Sequence, residues 1–452
     1  MLTPKLQMLE RTLKRLLRRG AAGPLERVLV KTHAADLAFI FTSFSHNERV
    51  QLIEHCADDE MRGDVLASAE HAISAEVLAS LPRQRAAELM GEIEPDDVSD
   101  LLEHMEEKEA AELLALMQGE EREEVEELSR YESTTAGGIM SPRFFALDRD
   151  KTVREAIAAL QAVDTELEMV FYVYVVNELE QLLGVLSLRQ LVVNKPDTKL
   201  FDVMTSDVIS VSTHVDQEEV AQLASRYGLL AVPVVDDTNK LLGIVTVDDV
   251  IDVLREEATE DILRMAGAGD EIGDQRKVLR SVLSRFPWLL ATGIGGAASA
   301  ALLSLYTAPL TNYLPLVFFI PLVLGLAGVT GIQSATIVVT IVAQGRGRSV
   351  LLATVARQTI VGTLLGLVLG SMVGSFAGWW WDPLQATSLF ASLAIGLGIA
   401  AAMSAAALLG CLLPWIFSRL RIDPALAAGP FAAMAVDVVG LALYLVIGAN
   451  LT

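Results

Sequence analysis

Residues 432–445, AAMAVDVVGLALYL, place one aspartate, Asp437, in the middle of an otherwise apolar helical run. The apolar segment around it, 424–449, is long enough to span the hydrocarbon core of a bilayer. A carboxylate at that depth costs roughly 2–3 kcal/mol or more, and such residues commonly face a cavity or an ion pathway. We therefore predict a membrane-spanning helix here, with Asp437 as its candidate functional residue.

Four more segments share this length and apolar character, so residues 281–452 are predicted to form an α-helical transmembrane bundle of five helices. The four segments are 287–306, 315–343, 358–378 and 387–417. Their flanks predict their orientation, because cytosolic loops carry an excess of Arg and Lys. The arginines lie after the second and fourth segments (Arg346, Arg348, Arg357, Arg419, Arg421), whereas the loops TAPLTNYLP and WWWDPLQAT carry no cation. Residues 1–280 are thus predicted to be cytosolic, and the C-terminus to lie outside the cell inner (plasma) membrane.

The two parts of the chain differ sharply in charge. Residues 281–452 contain six arginines, no lysine and three acids, whereas residues 1–280 carry a net charge of −26. So acidic a part would repel phosphates, which argues against a nucleic-acid partner and favours cations. Two cysteines, Cys56 and Cys411, give neither a disulfide framework nor a zinc-binding spacing.

Residues 1–131 are predicted to form an acidic α-helical superhelical domain. The motifs AAELM (86–90), VSDLL (98–102) and AAELL (110–114) recur every twelve residues, which places Leu89, Leu101 and Leu113 in equivalent positions. Short helices joined by tight turns would stack into a small superhelical array.

The next part of the chain is an imperfect duplication of mixed α/β character. VVNELEQLLGVLSLRQL (175–191) aligns with VVDDTNKLLGIVTVDDV (234–250), with Val-Val, Leu-Leu and Gly at identical offsets. Each copy follows a strand-plus-helix pattern, so the order strand, helix, hairpin, helix is predicted twice. This arrangement resembles an α/β tandem CBS pair, with units at 132–199 and 200–257, a regulatory module that often binds adenine nucleotides.

An acidic helix and linker, 246–280, connect this duplication to the membrane part. Asp249, Asp252 and Glu256 share one helical face, and Glu257, Glu260 and Asp261 share another. Like charges at this spacing repel each other, so a divalent cation would stabilise the helix surface. A plain solvated helix is the alternative.

The residues around Asp437 favour a hard cation over an enzymatic reaction. None of the six histidines has a His or Cys partner one helical turn away, and no phosphate-binding G-x-x-x-x-G-K motif occurs, so we predict that the protein is not an enzyme. In the second and fifth segments, Pro321 and Pro430 are expected to interrupt the helical hydrogen bonds and to expose carbonyl oxygens. Carboxylate, carbonyl and amide oxygens suit Mg²⁺, and a single carboxylate suits the hydrated ion. The alternative is that Asp437 pairs with an arginine or caps a broken helix.

The order of these parts resembles the MgtE family of magnesium channels and transporters. The resemblance is carried by YESTTAGGIM (131–140), VTVDDVIDVLREEATEDILRMAG (245–267) and IDPALAAGPFAAMAVDVVGLALYL (422–445). It implies a homodimer that transports Mg²⁺ through a pore centred on Asp437. The residues lining that pore would be Ala433, Gly328, Thr330 and Gln333.

The resemblance also implies a gate. Cytosolic Mg²⁺ bound between acidic faces would hold the connecting helix as a plug beneath the pore. The matching acids are Asp96, Asp97, Asp100, Asp216, Glu218, Asp249, Asp252, Glu257, Glu260 and Asp261. In the CBS pair, the residues that match a nucleotide site are Arg189, Thr246 and Asp249.

The sequence departs from the family pattern near both sites. Val329 and Ile332 stand where the second span usually has asparagines, and Gly429 replaces another frequent asparagine. In the first CBS unit Gln190 replaces the aspartate that commonly holds a nucleotide ribose, which leaves ATP binding open. Two other functions stay open as well: transport of another divalent cation, such as cobalt or manganese, and a non-conducting CBS-based membrane sensor.

Overall fold

The computed structural model describes residues 3–117, 119–162, 170–268, 278–307, 314–343, 347–381 and 387–451. These residues form two compact units, Met1–Leu254 and Arg255–Thr452. The predicted fold class is confirmed in both: helices and small sheets make up the first unit, and long apolar helices the second.

The first unit begins with ten helices. Two of them, α1 (Pro4–Arg18) and α2 (Ala22–Leu29), precede an array of eight. The array comprises α3 (Ala34–Phe41), α4 (His46–Glu54), α5 (Asp59–Ser68), α6 (His71–Ser80), α7 (Arg83–Met90), α8 (Pro95–Glu103), α9 (Glu107–Leu116) and α10 (Gly119–Leu128). Each helix from α3 to α8 packs against the helix two positions later, so the array has two layers.

The twelve-residue repeat extends much further than the three copies visible in the sequence. From α5 to α10 every helix begins twelve residues after the previous one. The seventh residue of each array helix is an aliphatic side chain at most 1% exposed: Ile40, Leu52, Val65, Val77, Leu89, Leu101, Leu113 and Val125. Because Leu is replaced by Ile or Val in several copies, the repeat is not visible when only residue identities are compared.

Truncating Leu101 to alanine is expected to destabilise the first unit by roughly 2–5 kcal/mol, because the vacated volume lies between two helix layers. Leu116 is 36% exposed, so Leu116→Ala is the matched control and should cost far less. Chemical denaturation of the full chain in detergent, followed by circular dichroism, measures both. Equal losses in the two variants would contradict the buried role of the seventh position.

The duplicated segment folds into two three-stranded sheets. In the first, β1 (Ala146–Asp148) pairs in parallel with β2 (Tyr172–Val176), which pairs antiparallel with β3 (Leu182–Ser187). In the second, β4 (Val211–Ser212), β5 (Ala231–Val235) and β6 (Leu241–Thr246) repeat that arrangement. The helices are α11 (Val153–Ala162), α12 (Leu188–Val193), α13 (Leu200–Val203), α14 (Gln217–Tyr227) and α15 (Val247–Met265). The predicted order of strand, helix, hairpin and helix is therefore present twice.

Each sheet is completed by backbone from outside its own copy. Ser141, which precedes the first sheet, pairs with Ile244 of β6, and Thr205, which precedes the second sheet, pairs with Val185 of β3. The two copies thus exchange equivalent segments and form one folding unit.

Among its described residues, the second unit holds five helices that are long and apolar enough to cross a membrane, as predicted. They are Ser281–Leu305, Pro315–Ala343, Arg348–Trp380, Ser392–Arg419 and Pro424–Leu451. We label the complete helices α16 (Val278–Leu305), α17 (Pro315–Ala343), α18 (Arg348–Trp381) and α19 (Thr387–Arg419). The last segment consists of α20 (Pro424–Leu426), a π-helical turn (Ala427–Phe431) and α21 (Ala432–Leu451).

The third span begins ten residues earlier than its apolar pattern, because hydropathy defines only the part of a helix that lies in lipid. Pro321 also differs from expectation, since α17 continues through it. Proline removes one backbone N–H group, but the other backbone hydrogen bonds are sufficient to keep α17 helical on both sides of Pro321. Parts of both cation-free loops, together with Arg346, lie outside the described residues.

A ladder of small residues joins α18 to α19. Gly362, Gly366, Gly370 and Gly374 recur every fourth residue on α18. A Cβ atom at Gly370 would lie 2.2 Å from the Gly396 carbonyl oxygen, and one at Gly374 would lie 2.3 Å from that of Ser392. Small residues at this spacing let helix backbones approach closely in a membrane. The G-x-x-x-G repeat is thus a sequence signal for this helix pair.

Candidate functional site

The last membrane segment is broken just before the helix that carries Asp437. Gly429 has non-helical backbone angles (φ −90°, ψ −120°), and the next residue, Pro430, lacks an N–H group. The helix resumes at Ala432 and runs to Leu451. The interruption predicted at Pro430 therefore exists, with Gly429 as its centre.

Asp437 is half-buried on α21. No hydrogen bond or ion pair involves its carboxylate among the described residues, so the alternative of an arginine partner finds no support there. Ala433 precedes it by one helical turn and is also half-buried. The neighbouring Val436 packs against α17, since a Cβ at Gly331 would lie 2.8 Å from its Cγ2 atom. The residue next to Asp437 in the chain therefore contacts the small-residue face of α17.

The lining residues predicted on α17 differ in exposure. Gly328 is half-buried, and Gln333 is exposed in the isolated chain and makes no hydrogen bond in the described part. Thr330 is only 7% exposed, and its hydroxyl donates to the Leu326 carbonyl oxygen at 2.8 Å. Val329 and Ile332 are 56% and 45% exposed, so two apolar side chains share the accessible face with Gln333.

The C-terminal end of α15 fits into the break at Gly429. This helix ends in a Schellman motif at Gly267 (φ +69°), where the Ala268 N–H donates to the Leu263 carbonyl oxygen at 2.9 Å. A Cβ placed on Gly429 would lie 2.6 Å from the carbonyl oxygen of Met265. The Met265 side chain packs beside Ala425 and Ala428. The absence of a side chain at position 429 is what permits this contact.

An ion pair joins α15 to the same segment. Arg264 Nη1 lies 2.6 Å from Asp423 Oδ2, and Arg264 also pairs with Glu260 on its own helix. Asp423 caps α20 by accepting a hydrogen bond from the Ala425 N–H at 2.7 Å. Burial, with a contribution from Asp423, raises the pKa of Asp261 to about 6. Arg264 and Asp423 were missed by sequence reasoning, which on this part of the chain considered the acids of α15 and not their basic partner.

A second group of acids forms in the first unit, where α8 meets the beginning of α15. We call it the α8–α15 acidic cluster: Glu94, Asp96, Asp97, Asp100, Asp248, Asp249 and Asp252. Pro95 starts α8 and puts Asp96 and Asp97 in its first turn, where the helix dipole favours negative charge. The structure thus brings together five of the predicted regulatory acids, and adds Glu94 and Asp248.

Burial is the main cause of the altered acidity in this cluster. It raises the pKa of Asp96 and of Asp97 well above the ordinary range, and the nearby Asp249 raises both further. The pKa of Asp249 itself is raised to about 6. Asp96 is 8% exposed, and its Oδ1 atom has no hydrogen-bond partner among the residues that the structure describes. A buried carboxylate oxygen without a partner is what a cation site requires, although no three metal-ligating side chains already converge among the described residues.

The raised pKa values predict a pH dependence in the absence of divalent cations. Between about pH 4 and pH 6 the folded protein retains protons that the unfolded chain has lost, so the free energy of unfolding falls as pH rises. We expect the unfolding temperature in EDTA to be several degrees lower at pH 8 than at pH 5. Each kcal/mol lost from the free energy of unfolding lowers the unfolding temperature by roughly 2–4 °C.

Asp97→Asn removes one of these groups and should flatten the pH dependence, while raising the unfolding temperature at pH 8. Differential scanning fluorimetry of the full chain in detergent measures both proteins under identical conditions. The same pH dependence in variant and wild type would contradict the buried, acid-crowded environment of Asp97.

The remaining predicted residues lie at helix ends. Asp216 caps α14 and accepts a hydrogen bond from the Glu218 N–H at 2.8 Å. Thr246 and Asp249 form the cap of α15, where the Thr246 N–H donates to Asp249 Oδ2 at 3.1 Å. In the first copy Ser187 and Gln190 make the equivalent cap, and Arg189 lies exposed beside them.

Family comparisons cover most of the chain. The MgtE family, described as a divalent cation transporter, matches residues 320–447, and the MgtE intracellular N domain matches residues 32–134. CBS domains match 136–194 and 200–256. The helical array, the duplicated sheets and the membrane helices thus each correspond to one part of a known family.

Individual proteins of the MgtE family are also similar to this chain in sequence. The magnesium transporter MgtE of Thermus thermophilus is 36% identical over 329 residues, 71% of each chain. That of Enterococcus faecalis is 35% identical over 327 residues, which is 71% of this chain and 70% of the relative.

Two solved structures resemble about half of the chain. One is the soluble part of a magnesium transporter, 34% identical with a TM-score of 0.51, covering 56% of this chain and 99% of that one. The other is the cytosolic domain of the Mg²⁺ channel MgtE in complex with ATP, 36% identical with a TM-score of 0.52, covering 54% and 99%. With five candidate spans following a soluble part, this multi-pass membrane protein belongs to the MgtE family of divalent cation transporters.

Proposed function

We propose that this protein transports Mg²⁺ across the plasma membrane as a homodimer, and that cytosolic Mg²⁺ closes it. The observation that carries the transport part is Asp437, a half-buried carboxylate with no ion-pair partner in the described residues, set in the last span of a chain related to magnesium transporters. Its role is to attract a hydrated Mg²⁺ ion, with Ala433, Gly328, Thr330 and Gln333 around it. A dimer would place two such carboxylates beside one pathway.

The orientation follows from the arginines that flank the spans. Residues 1–280 face the cytosol in this proposal and the C-terminus lies outside. The acidic part of the chain would then sample the cytosolic concentration of the same ion that the membrane part carries.

The gating part of the proposal rests on the two groups of acids. In the first unit, Mg²⁺ would bind the α8–α15 acidic cluster, where Asp96 Oδ1 has no partner. In the second unit, Glu257, Glu260 and Asp261 lie on the turns of α15 that lead to Gly429 and Asp423. When the ion is scarce, the carboxylates repel one another, and when it is plentiful, it favours the packed arrangement. Asp216 and Glu218 would contribute from the beginning of α14.

The proposed gate does not require ATP. Asp249 already caps α15 and belongs to the acidic cluster, and Gln190 occupies the equivalent position in the first copy. An ATP site at Arg189, Thr246 and Asp249 would therefore compete with Mg²⁺ for Asp249.

Flux measurements on purified protein in liposomes test the identity of the ion. We expect uptake of Mg²⁺ to exceed that of Co²⁺ and Mn²⁺ at equal concentrations. The exposed Val329 and Ile332 are the observation that favours transport of Co²⁺ or Mn²⁺ instead. An apolar face holds the hydration water of an ion less firmly than amide groups do. Preference for cobalt would overturn the choice of magnesium, and absence of all flux would favour a non-conducting sensor.

Gating predicts that Mg²⁺ protects the connecting helix. Proteolytic cleavage within residues 245–265 should fall as Mg²⁺ rises through the millimolar range, while NaCl at equal ionic strength should protect much less, because screening alone does not bridge carboxylates. In Asp97→Asn the Mg²⁺ concentration that gives half-maximal protection should rise on the order of tenfold, which corresponds to about 1.4 kcal/mol of binding free energy. Unchanged cleavage with Mg²⁺ would remove the gating part and leave transport untouched.

A further inference from the structure

Two histidines that are far apart in the sequence lie together beside the α8–α15 acidic cluster. His71 is the first residue of α6, and His104 follows the last residue of α8. Their ring centroids are 6.0 Å apart in an edge-to-face arrangement. His71 Nδ1 lies 4.0 Å from Asp100 Oδ2. The packing of α6 against α8 therefore brings two imidazoles and one carboxylate near one another, although the three side chains do not yet converge as metal ligands among the described residues.

The local geometry prepares His104 to bind a metal ion. Asp100 and His104 are four residues apart, a spacing that puts both on one face of a helix and recurs in helical metal sites. His104 Nδ1 lies 2.9 Å from the Asp100 carbonyl oxygen. A carbonyl oxygen only accepts, so Nδ1 carries the proton and Nε2 keeps its lone pair. This is the arrangement in which histidines commonly ligate metals.

We propose that His71, His104 and Asp100 form a binding site for a divalent transition-metal ion of the Zn²⁺ or Co²⁺ class. Imidazole nitrogen suits these ions, whereas Mg²⁺ prefers oxygen ligands, so this site differs in chemistry from the acidic cluster beside it. Asp252 of α15 lies near enough to act electrostatically on His71 and adds negative charge on the side of the connecting helix.

The site closes when the ion binds. Tetrahedral ligands at about 2.0–2.1 Å from Zn²⁺ lie about 3.3 Å from one another, so the 4.0 Å between His71 and Asp100 must shorten. Rotation of exposed or half-buried side chains supplies this movement. Because α8 also carries Asp96 and Asp97, the bound ion would favour the same packed arrangement that Mg²⁺ favours in the proposed gate. That consequence rests on the proposed function, whereas the binding itself does not.

Titration of the full chain in detergent with Co²⁺, after removal of any affinity tag, tests the binding. Imidazole coordination gives visible absorption bands that oxygen ligands alone do not give at the same position and strength, and Zn²⁺ should displace Co²⁺ and abolish them. In His104→Gln and His71→Gln, Co²⁺ affinity should fall at least about tenfold. His104 is exposed, so its replacement leaves the packing of α8 intact.

His55 provides the matched control. It follows α4 as His104 follows α8, and its Nδ1 lies 2.8 Å from the Gln51 carbonyl oxygen, but the residue four positions earlier is a glutamine. His55→Gln should titrate like the wild type. The proposal is overturned if His104→Gln keeps wild-type Co²⁺ affinity, or if His55→Gln loses as much affinity as His104→Gln. Co²⁺ affinity is measured without any transport assay. The test therefore decides on the metal site even if the protein does not transport Mg²⁺.

Discussion

Replacing Asp437 by asparagine is expected to reduce Mg²⁺ flux at least about a hundredfold. Two unit charges 4 Å apart attract by about 4 kcal/mol at an effective dielectric constant of 20, and a divalent ion doubles that figure. Asparagine keeps the shape and one oxygen but removes the charge, and no other acid lies within α21. A loss of only about 2.7 kcal/mol of that attraction already accounts for a hundredfold.

The measurement is Mg²⁺ uptake into liposomes, compared at equal amounts of inserted protein. Asn450→Ala is the control on the same helix, because Asn450 is exposed and its amide donates to the Val446 carbonyl oxygen of its own helix at 2.8 Å. It should transport at the wild-type rate. Asp437→Glu keeps the charge and should retain part of the flux. A folded Asp437→Asn protein with wild-type flux would refute the pore assignment and favour the sensor hypothesis.

Adding one methyl group at Gly429 is expected to have the second largest effect. The new Cβ would lie 2.6 Å from the Met265 carbonyl oxygen, which belongs to backbone and cannot rotate away. The end of α15 must therefore move out of the break in the last span. If α15 holds the proposed gate closed, Gly429→Ala should leave several-fold more flux than wild type at millimolar cytosolic Mg²⁺.

Gly296→Ala is the matched control for this variant. Gly296 lies on α16, and a Cβ there would meet no atom within 4 Å, so the same methyl addition should be silent. Arg264→Ala should act in the same direction as Gly429→Ala, since it removes the ion pair with Asp423. Flux at high Mg²⁺ that stays at the wild-type level in Gly429→Ala would show that this contact does not contribute to closure.

Local patterns in the sequence were sufficient to predict most of the fold. Hydropathy identifies the five spans because the bilayer sets their length, and the matched Val-Val, Leu-Leu and Gly positions identify the duplication. The twelve-residue repeat was recognised only where the buried residue is Leu, because Ile40, Val65 or Val125 fills the same volume with a different letter.

The sites were less predictable, because they join residues that are distant in the chain. Asp96, Asp249 and Asp216 were selected because they match the acids of the family's gate, but the mutual effect of Asp96 and Asp249 on pKa depends on how α8 packs. The structure uses Asp216 as a helix cap. The pairing of His71 with His104, and of Arg264 with Asp423, left no periodic signal at all.

The two-layer packing of the helical array limits how its length can change. Each helix from α3 to α8 contacts the one two positions later, so odd and even helices lie in different layers. An insertion of a single twelve-residue helix before α8 would transfer α8 to the other layer and turn its aspartates away from α15. An insertion of two helices would restore their side. Natural length variants of this domain should therefore differ by pairs of helices, and a variant with an odd number added should lack a functional acidic surface.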